Sequence, residues 1–175
     1  MAQYKMIIGI ISSGSIGQRH IRNFLSQGHE VIAYNRSNKR RKIVEKKFNI
    51  NVYDNIDAII DLKPDLAVIC SPNIMHLDHA NIFANNHINL FIEKPVCIPN
   101  QNIHSLKKLI KKKKLFSHVG CNLRFNKGII LLKKILDEKK IGKIINAEFF
   151  TGMYLPDWHP YEDYKQMYSS KKKLG

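Results

Sequence analysis

The segment IIGIISSGSIGQRHI, Ile7 to Ile21, runs from a near-continuous apolar stretch through a turn with two glycines into a polar stretch with helical spacing. An apolar run without alternation suits a strand covered on both faces, the situation of a parallel sheet, and parallel strands are joined by crossover helices. The first twenty residues therefore predict a strand, a tight turn and a helix. The rest of the chain repeats that rhythm.

The runs EVIAY, LAVIC, INLFIE and LFSHVG have the same strand character, and helix-length amphipathic stretches lie between them. Ile21, Phe24 and Leu25 mark one helical face. Leu77, Ala80, Phe83 and Ala84 mark a second, and Ile103, Leu106, Leu109 and Ile110 a third. Residues 51–64 carry the weakest pattern, with a short strand at NVYD and a short helix at IDAII. Ser71 to Asn73 end one strand and open a helix, Glu93 to Pro95 stop another strand, and Asn86 and His87 stand where the fourth helix ends, asparagine tolerating a left-handed cap. The sum is an α/β fold, a doubly wound parallel sheet with helices on both faces.

A further helix is expected from about Lys127 to Lys139, with Ile129, Leu132, Ile135 and Leu136 as its apolar side and Gly142 ending it. KIINAEFFTGMYL then reads as a new strand, followed by a polar and aromatic tail. A lone strand cannot bury itself, so this tail is a remnant, a strand that pairs with a partner chain, or the start of a longer domain. The expected division is 1–121 for the sheet domain and 122–175 for a linking helix and the truncated start of a second α+β domain.

At 175 residues and 44% apolar content the chain can bury one substantial core. No apolar run reaches the roughly 20 residues that cross a bilayer, and MAQYK enters the first apolar run too abruptly for a secretory signal, so the cytoplasm is the expected location and no membrane partner is expected. Cys70, Cys97 and Cys121 lack CxxC spacing and lie in or beside apolar runs, reading as core thiols with neither zinc nor disulfide implied. The net charge of +15, with KRRK, KKKK and KKK runs, raises a polyanion partner. Lysine dominates arginine, and no aromatic or base-reading motif accompanies these runs, so they read as solvated helix faces and tail, with no nucleic-acid partner.

A phosphate-binding turn of the Rossmann type uses one glycine for the bend, one for close backbone approach to the diphosphate and one for helix–strand packing. Gly14 and Gly17 fill the second and third places. Ser12 fills the first, which is tolerable at negative φ and costs about 1 kcal/mol or more otherwise. Ser12, Gly14, Ser15, Ile16 and Gly17 are thus the expected diphosphate segment, where the opening helix offers unpaired amides. The alternative is a purely structural glycine turn. The place where an acid usually holds the adenine ribose is taken by Asn35, followed by Arg36, Ser37, Arg40 and Arg41, groups that donate to a 2′-phosphate; NADP is preferred over NAD on that ground. Arg40 and Arg41 as mere helix decoration is the other reading.

Ligands of open parallel sheets gather beyond the carboxyl ends of the strands. Ser71, Pro72, Asn73 and His76 are expected there after the fourth strand, and Glu93, Lys94 and Pro95 after the fifth. Lys94 is the candidate for orienting a substrate hydroxyl and sharing its proton, with Glu93 holding the ammonium or touching the cofactor; a plain surface lysine is the alternative. His76 is a candidate contact for substrate or nicotinamide, or else a helix cap. The other histidines show no metal-ligand spacing.

In order, GIISSGSIGQRHIRN, DLAVICSPNIMHLDHA, LFIEKPV, GCNLRF and IGKIINAEF resemble the Gfo/Idh/MocA family, the glucose–fructose oxidoreductase and inositol dehydrogenase-like enzymes. The resemblance implies NAD(P)-dependent hydride transfer at a hydroxyl-bearing carbon of a sugar, sugar phosphate or nucleotide sugar. It also implies that Gly14 and Gly17 hold the diphosphate, that Pro72, Asn73 and His76 line the cofactor cleft, that Lys94 sits at the reacting carbon, and that Asn122 and Arg124 lie beside the substrate domain. Ser12, Cys121, Asn126 and Lys127 depart from the family pattern. Such proteins continue with an aspartate- and histidine-bearing helix and an antiparallel substrate sheet, and full-length relatives are expected to be homo-oligomers. The chain accordingly reads as about half of a two-domain enzyme, active with the remainder supplied, or as an inactive dinucleotide-binding or sensor module.

Overall fold

The computed structural model describes residues 4–158, 163–167 and 170–171. The chain divides into two compact units, one through Gly120 and one from Cys121. The first is built on six strands: β1 (Ile7–Ile11), β2 (Glu30–Tyr34), β3 (Val52–Tyr53), β4 (Leu66–Ile69), β5 (Asn89–Ile92) and β6 (Ser117–Val119). Between them run α1 (Ser15–Ser26), α2 (Asn38–Phe48), α3 (Asp57–Asp61), α4 (His76–Asn85) and α5 (His104–Lys113). Every pairing is parallel, in the order β3-β2-β1-β4-β5-β6. The order reverses at β1, which pairs with β2 on one side and β4 on the other. That is the switch point at which doubly wound sheets open a crevice.

Burial explains the unbroken apolar runs. Ile8 and Ile10 of β1 join Ile21 of α1, Val31 and Ala33 of β2, Val44 of α2 and Val68 of β4 in one cluster. Ile11, Ile32, Ile69, Leu90 and Ile92 point to the other face, against Ile59, Phe83, Ala84 and Leu106. Successive strand residues feed opposite clusters, so a strand covered by helices on both sides has no place for a polar alternate.

The left-handed positions differ from expectation in one place. After α4, Asn86 keeps φ −93° as the cap, and His87 takes φ +61°. Of the cysteines, Cys70 and Cys97 are half-buried, whereas Cys121 is exposed and not a core thiol.

In the second unit, α6 spans Lys127–Asp137, opened by Asn126, whose side chain accepts from the amides of Gly128 and Ile129. Glu138 caps it, and Gly142 (φ +71°) lies in the turn beyond rather than ending the helix. No strand forms over residues 144–154, where one was expected; Ile145 and Phe150 are 95% and 94% exposed. A strand is defined by its ladder, and among the described residues this segment has none to pair with. A short helix, α7, follows at Leu155–Trp158. Most of the remaining tail lies outside the described residues.

Phe83, fully buried under the sheet, should be the costliest single deletion of the α4 face: Phe83→Ala is expected to lower unfolding free energy by about 3–5 kcal/mol, read from urea denaturation.

Candidate functional site

The carboxyl ends of β2, β1, β4 and β5 lie side by side, and each carries part of the expected site. Adjacent strands are about 4.8 Å apart, so residues far apart in sequence meet along one edge.

At the end of β1 the chain bends through Ser12 at φ +80°, the region a glycine adopts freely and a serine adopts at a cost of about 1 kcal/mol. The Ser12 amide donates to the Tyr34 carbonyl at 3.0 Å, which helps to hold the bend. A β-carbon on Gly17 would overlap the Ser12 carbonyl oxygen and lie 3.4 Å from the Ile10 side chain, so only glycine lets α1 pack this closely on β1. Gly14 is the N-cap, without a side-chain cap bond and with no acid in the first turn. The amides of Ser15, Ile16 and Gly17 precede the first intrahelical donor, the Gln18 amide that bonds the Gly14 carbonyl at 2.8 Å, so the helix end presents donors and a partial positive charge.

At the end of β2, Asn35 is buried and bonded through both its amide nitrogen and its amide oxygen. Its Nδ2 donates to Ser13 Oγ at 3.0 Å, and its Oδ1 accepts from the Ser37 amide at 2.9 Å. The residue in the ribose position thus ties the phosphate loop to the turn before α2. Arg41 donates to the Asn35 and Arg36 carbonyls and pairs with Asp54, which makes it a brace for that turn. Arg40 faces elsewhere: its Nη1 lies 3.8 Å from where a β-carbon on Gly14 would stand. Arg36 and Ser37 are exposed beside it.

After β4, Ser71 is buried, Pro72 and Asn73 are half-buried in the turn, and His76 is only 1% exposed. Its Nδ1 lies 2.6 Å from the Pro95 carbonyl oxygen and its Nε2 2.7 Å from that of Ser71. His76 therefore joins the β4 and β5 turns and presents neither nitrogen to the cleft, unlike the expected substrate or nicotinamide contact. His79 Nδ1 meets Ser71 Oγ at 2.9 Å, and burial pushes the His79 pKa down, with His76 adding to the fall and Asp78 opposing it.

After β5, Lys94 is exposed and followed by a cis peptide to Pro95. Glu93 is half-buried. Among the described ion pairs its partner is His20 of α1, 2.9 Å from Oε1, rather than the Lys94 ammonium. Its Oε2 instead accepts from the Lys94 amide at 3.3 Å. Burial pushes this carboxyl up, but the His20 bond and charge, the Lys94 amide and the Lys94 charge outweigh it and leave the pKa below the ordinary carboxylate value. Burial and the Glu93 charge raise the Cys70 thiol far above its usual range, making it an inert neighbour. Arg124 is exposed in the Asn122–Phe125 turn of the second unit.

Sequence reasoning missed Ser13, His20 and Gly120. Ser13 was legible as a second polar residue inside the loop, but the partners of His20 and Gly120 are set by sheet order alone. A hollow lined by Ile60, Lys63, Pro64, Asn86 and His87 lies at the opposite, amino-terminal edge and shares none of the site residues. Among the described residues, no three His, Cys, Asp or Glu side chains are grouped to hold a metal, and no helix is long and apolar enough to cross a membrane.

A parallel sheet reversing at β1, with a glycine turn opening α1 over the reversal, defines a dinucleotide-binding α/β domain of the Rossmann class. Residues 6–121 match the model of the GFO_IDH_MocA oxidoreductase family, NAD-binding Rossmann fold, and the chain belongs to that family. It is 25% identical over 143 residues to glucose-6-phosphate 3-dehydrogenase of Bacillus subtilis, a match covering 81% of this chain and 41% of that enzyme. It is 30% identical over 95 residues to inositol 2-dehydrogenase of Rhizobium meliloti, covering 54% of this chain and 28% of the relative. The crystal structure of myo-inositol 2-dehydrogenase from Lactobacillus plantarum superposes with a TM-score of 0.75 at 26% identity, over 81% of this chain and 44% of that one. The chain thus spans less than half the length of these relatives.

Because the folded-state pKa of His79 is depressed, the unfolded chain binds the proton first as pH falls. Stability is expected to be full above the ordinary value of 6.5 and to decline as pH drops through the folded value. His79→Gln, which keeps a partner for Ser71, should flatten that slope in urea titrations across the acid range.

Proposed function

We propose that this chain is the cofactor-binding half of an NAD(P)-dependent oxidoreductase acting on a hydroxyl of a sugar, sugar phosphate, nucleotide sugar or cyclic polyol. The observation that carries this reading is the shared edge: an uncapped α1 N-terminus after β1, the Asn35 turn after β2, Ser71 to Asn73 after β4 and Lys94 after β5. The residues fit a dinucleotide on structural grounds, because Gly17 brings α1 onto the strand and no side chain caps its leading amides. The relatives named above support the substrate class, since their names specify a sugar phosphate and inositol.

Ser15, Ile16 and Gly17 would hold the diphosphate through backbone amides, and the Ser71–Asn73 turn would border the nicotinamide side. The nicotinamide, when bound, supplies the redox chemistry by exchanging a hydride with the substrate carbon. Lys94 Nζ, as the neutral amine, would take the hydroxyl proton as the alcohol becomes a carbonyl, and as the resulting ammonium would return it in the reverse direction. His76 would keep the β4 and β5 turns in register, a positioning part rather than a catalytic one.

For the cofactor, NADP is favoured over NAD. A carboxylate is missing at Asn35, and Arg40 stands beside the glycine turn with Arg36 and Ser37 exposed nearby. A guanidinium–phosphate bond contributes about 1.5–3 kcal/mol. Titration by nicotinamide fluorescence is expected to show tighter NADPH than NADH binding, and Arg40→Ala should weaken NADPH roughly 10-fold while leaving NADH little changed. Asn35→Asp should move the preference toward NADH. Binding of neither cofactor at millimolar concentration would overturn the reading.

A further inference from the structure

Glu93 does not stand alone at the end of β5. Its carboxylate occupies a slot bounded by α1, β5 and β6. His20 closes one side, with Nε2 2.9 Å from Oε1 and both side chains about one-sixth exposed. The imidazole is held by rings on two elements, edge-on to Phe91 of β5 at 5.2 Å and stacked on Phe24 of its own helix at 6.3 Å. Gly120, just past β6, closes the other side: a β-carbon there would stand 3.0 Å from Oε1 and 3.1 Å from Phe91. A slot this tight sets where both carboxylate oxygens lie, and Oε2 is the acceptor for the Lys94 amide.

We propose that His20 is a positioning residue for Lys94: by anchoring Glu93 it fixes the amide that begins the Lys94–Pro95 turn, and so fixes the arc available to the lysine ammonium. This rests on the reading of Lys94 as the proton-handling residue. The geometry also makes α1 a shared part. Its first turn faces the expected diphosphate, and one and a half turns later the same helix grips the residue that steers the lysine. A shift of α1 on cofactor binding would be felt at Lys94 without any direct contact.

The groups facing Glu93 are His20 from α1, the Cys70 thiol after β4 and Lys94 beside it; His118 of β6 lies against the Phe91 ring at 5.6 Å. His20 and the Lys94 amide bond the carboxylate.

The test follows the Lys94 amide in lysine-selective ¹⁵N spectra of the full chain through an acid titration without cofactor, with the resonance assigned by its loss in Lys94→Arg. The wild-type amide is expected to report Glu93 ionisation below the ordinary carboxylate range, and Glu93→Gln should abolish that inflection. His20→Phe keeps the ring contacts and drops the donor; it should move the inflection upward. His20→Gln keeps a donor and drops the ring, and should leave the inflection close to wild type. A packing role predicts the reverse order. If His20→Phe does not fold, His20→Leu makes the same comparison. An inflection unchanged in the donor-free variant, or one that survives Glu93→Gln, would overturn the proposal. Because no cofactor is present, a failed NADPH titration and a failed positioning link are read separately.

Discussion

The contact between Gly17 and the Ser12 carbonyl is the constraint on which the site depends. It brings the first turn of α1 against β1, closer than any β-carbon permits, and it does so at the point where the strand order reverses. The backbone at Ser12 is bent into the left-handed region to make room. Once helix and strand are this close, the leading amides of α1 face the crevice between the β2 and β4 turns, and their donors have no side-chain competitor. The strained serine and the side-chain-free glycine are two ends of one requirement.

Around that contact, the strand-end turns are fastened by polar bonds rather than by apolar packing. Asn35 ties the phosphate loop to the turn before α2. His76 ties the β4 turn to the β5 turn, and His20 ties α1 to Glu93. The Asn35–Ser13, His76–Pro95 and His20–Glu93 bonds join elements distant in sequence, and among the described residues no buried side-chain nitrogen or oxygen is left without a partner. Satisfied polar contacts of this kind hold a geometry more narrowly than interchangeable hydrophobic ones. That is what a hydride transfer over a short, fixed distance requires of its scaffold.

Much of this was legible in the sequence because the parallel sheet imposes a plain code. Apolar runs without alternation located all five main strands, and the spacing of Gly14 and Gly17 located the turn before α1. What the sequence withheld was contact between elements. The Asn35 position could be read as a ribose site, but its engagement by Ser13 and Ser37 needs the loop in three dimensions. His76 stood beside the expected cleft in sequence, yet two carbonyls from separate turns claim its ring. Glu93 and His20 are 73 residues apart, and only the order β1-β4-β5, with α1 packed over it, makes them neighbours. The expectation for residues 144–154 failed for a different reason: apolar and β-branched side chains can propose a strand, but a ladder needs a partner.

The most direct test of the account is the backbone amide spectrum of the full chain as NADPH is added. The account predicts that shifts concentrate at Ser15, Ile16 and Gly17, at Asn35 to Arg40, and in the strand-end turns at Ser71 and Asn73 and at Glu93 and Lys94. Shifts confined to the amino-terminal edge around Ile60 and His87, or unperturbed Ser15 to Gly17 amides at saturating NADPH, would contradict it.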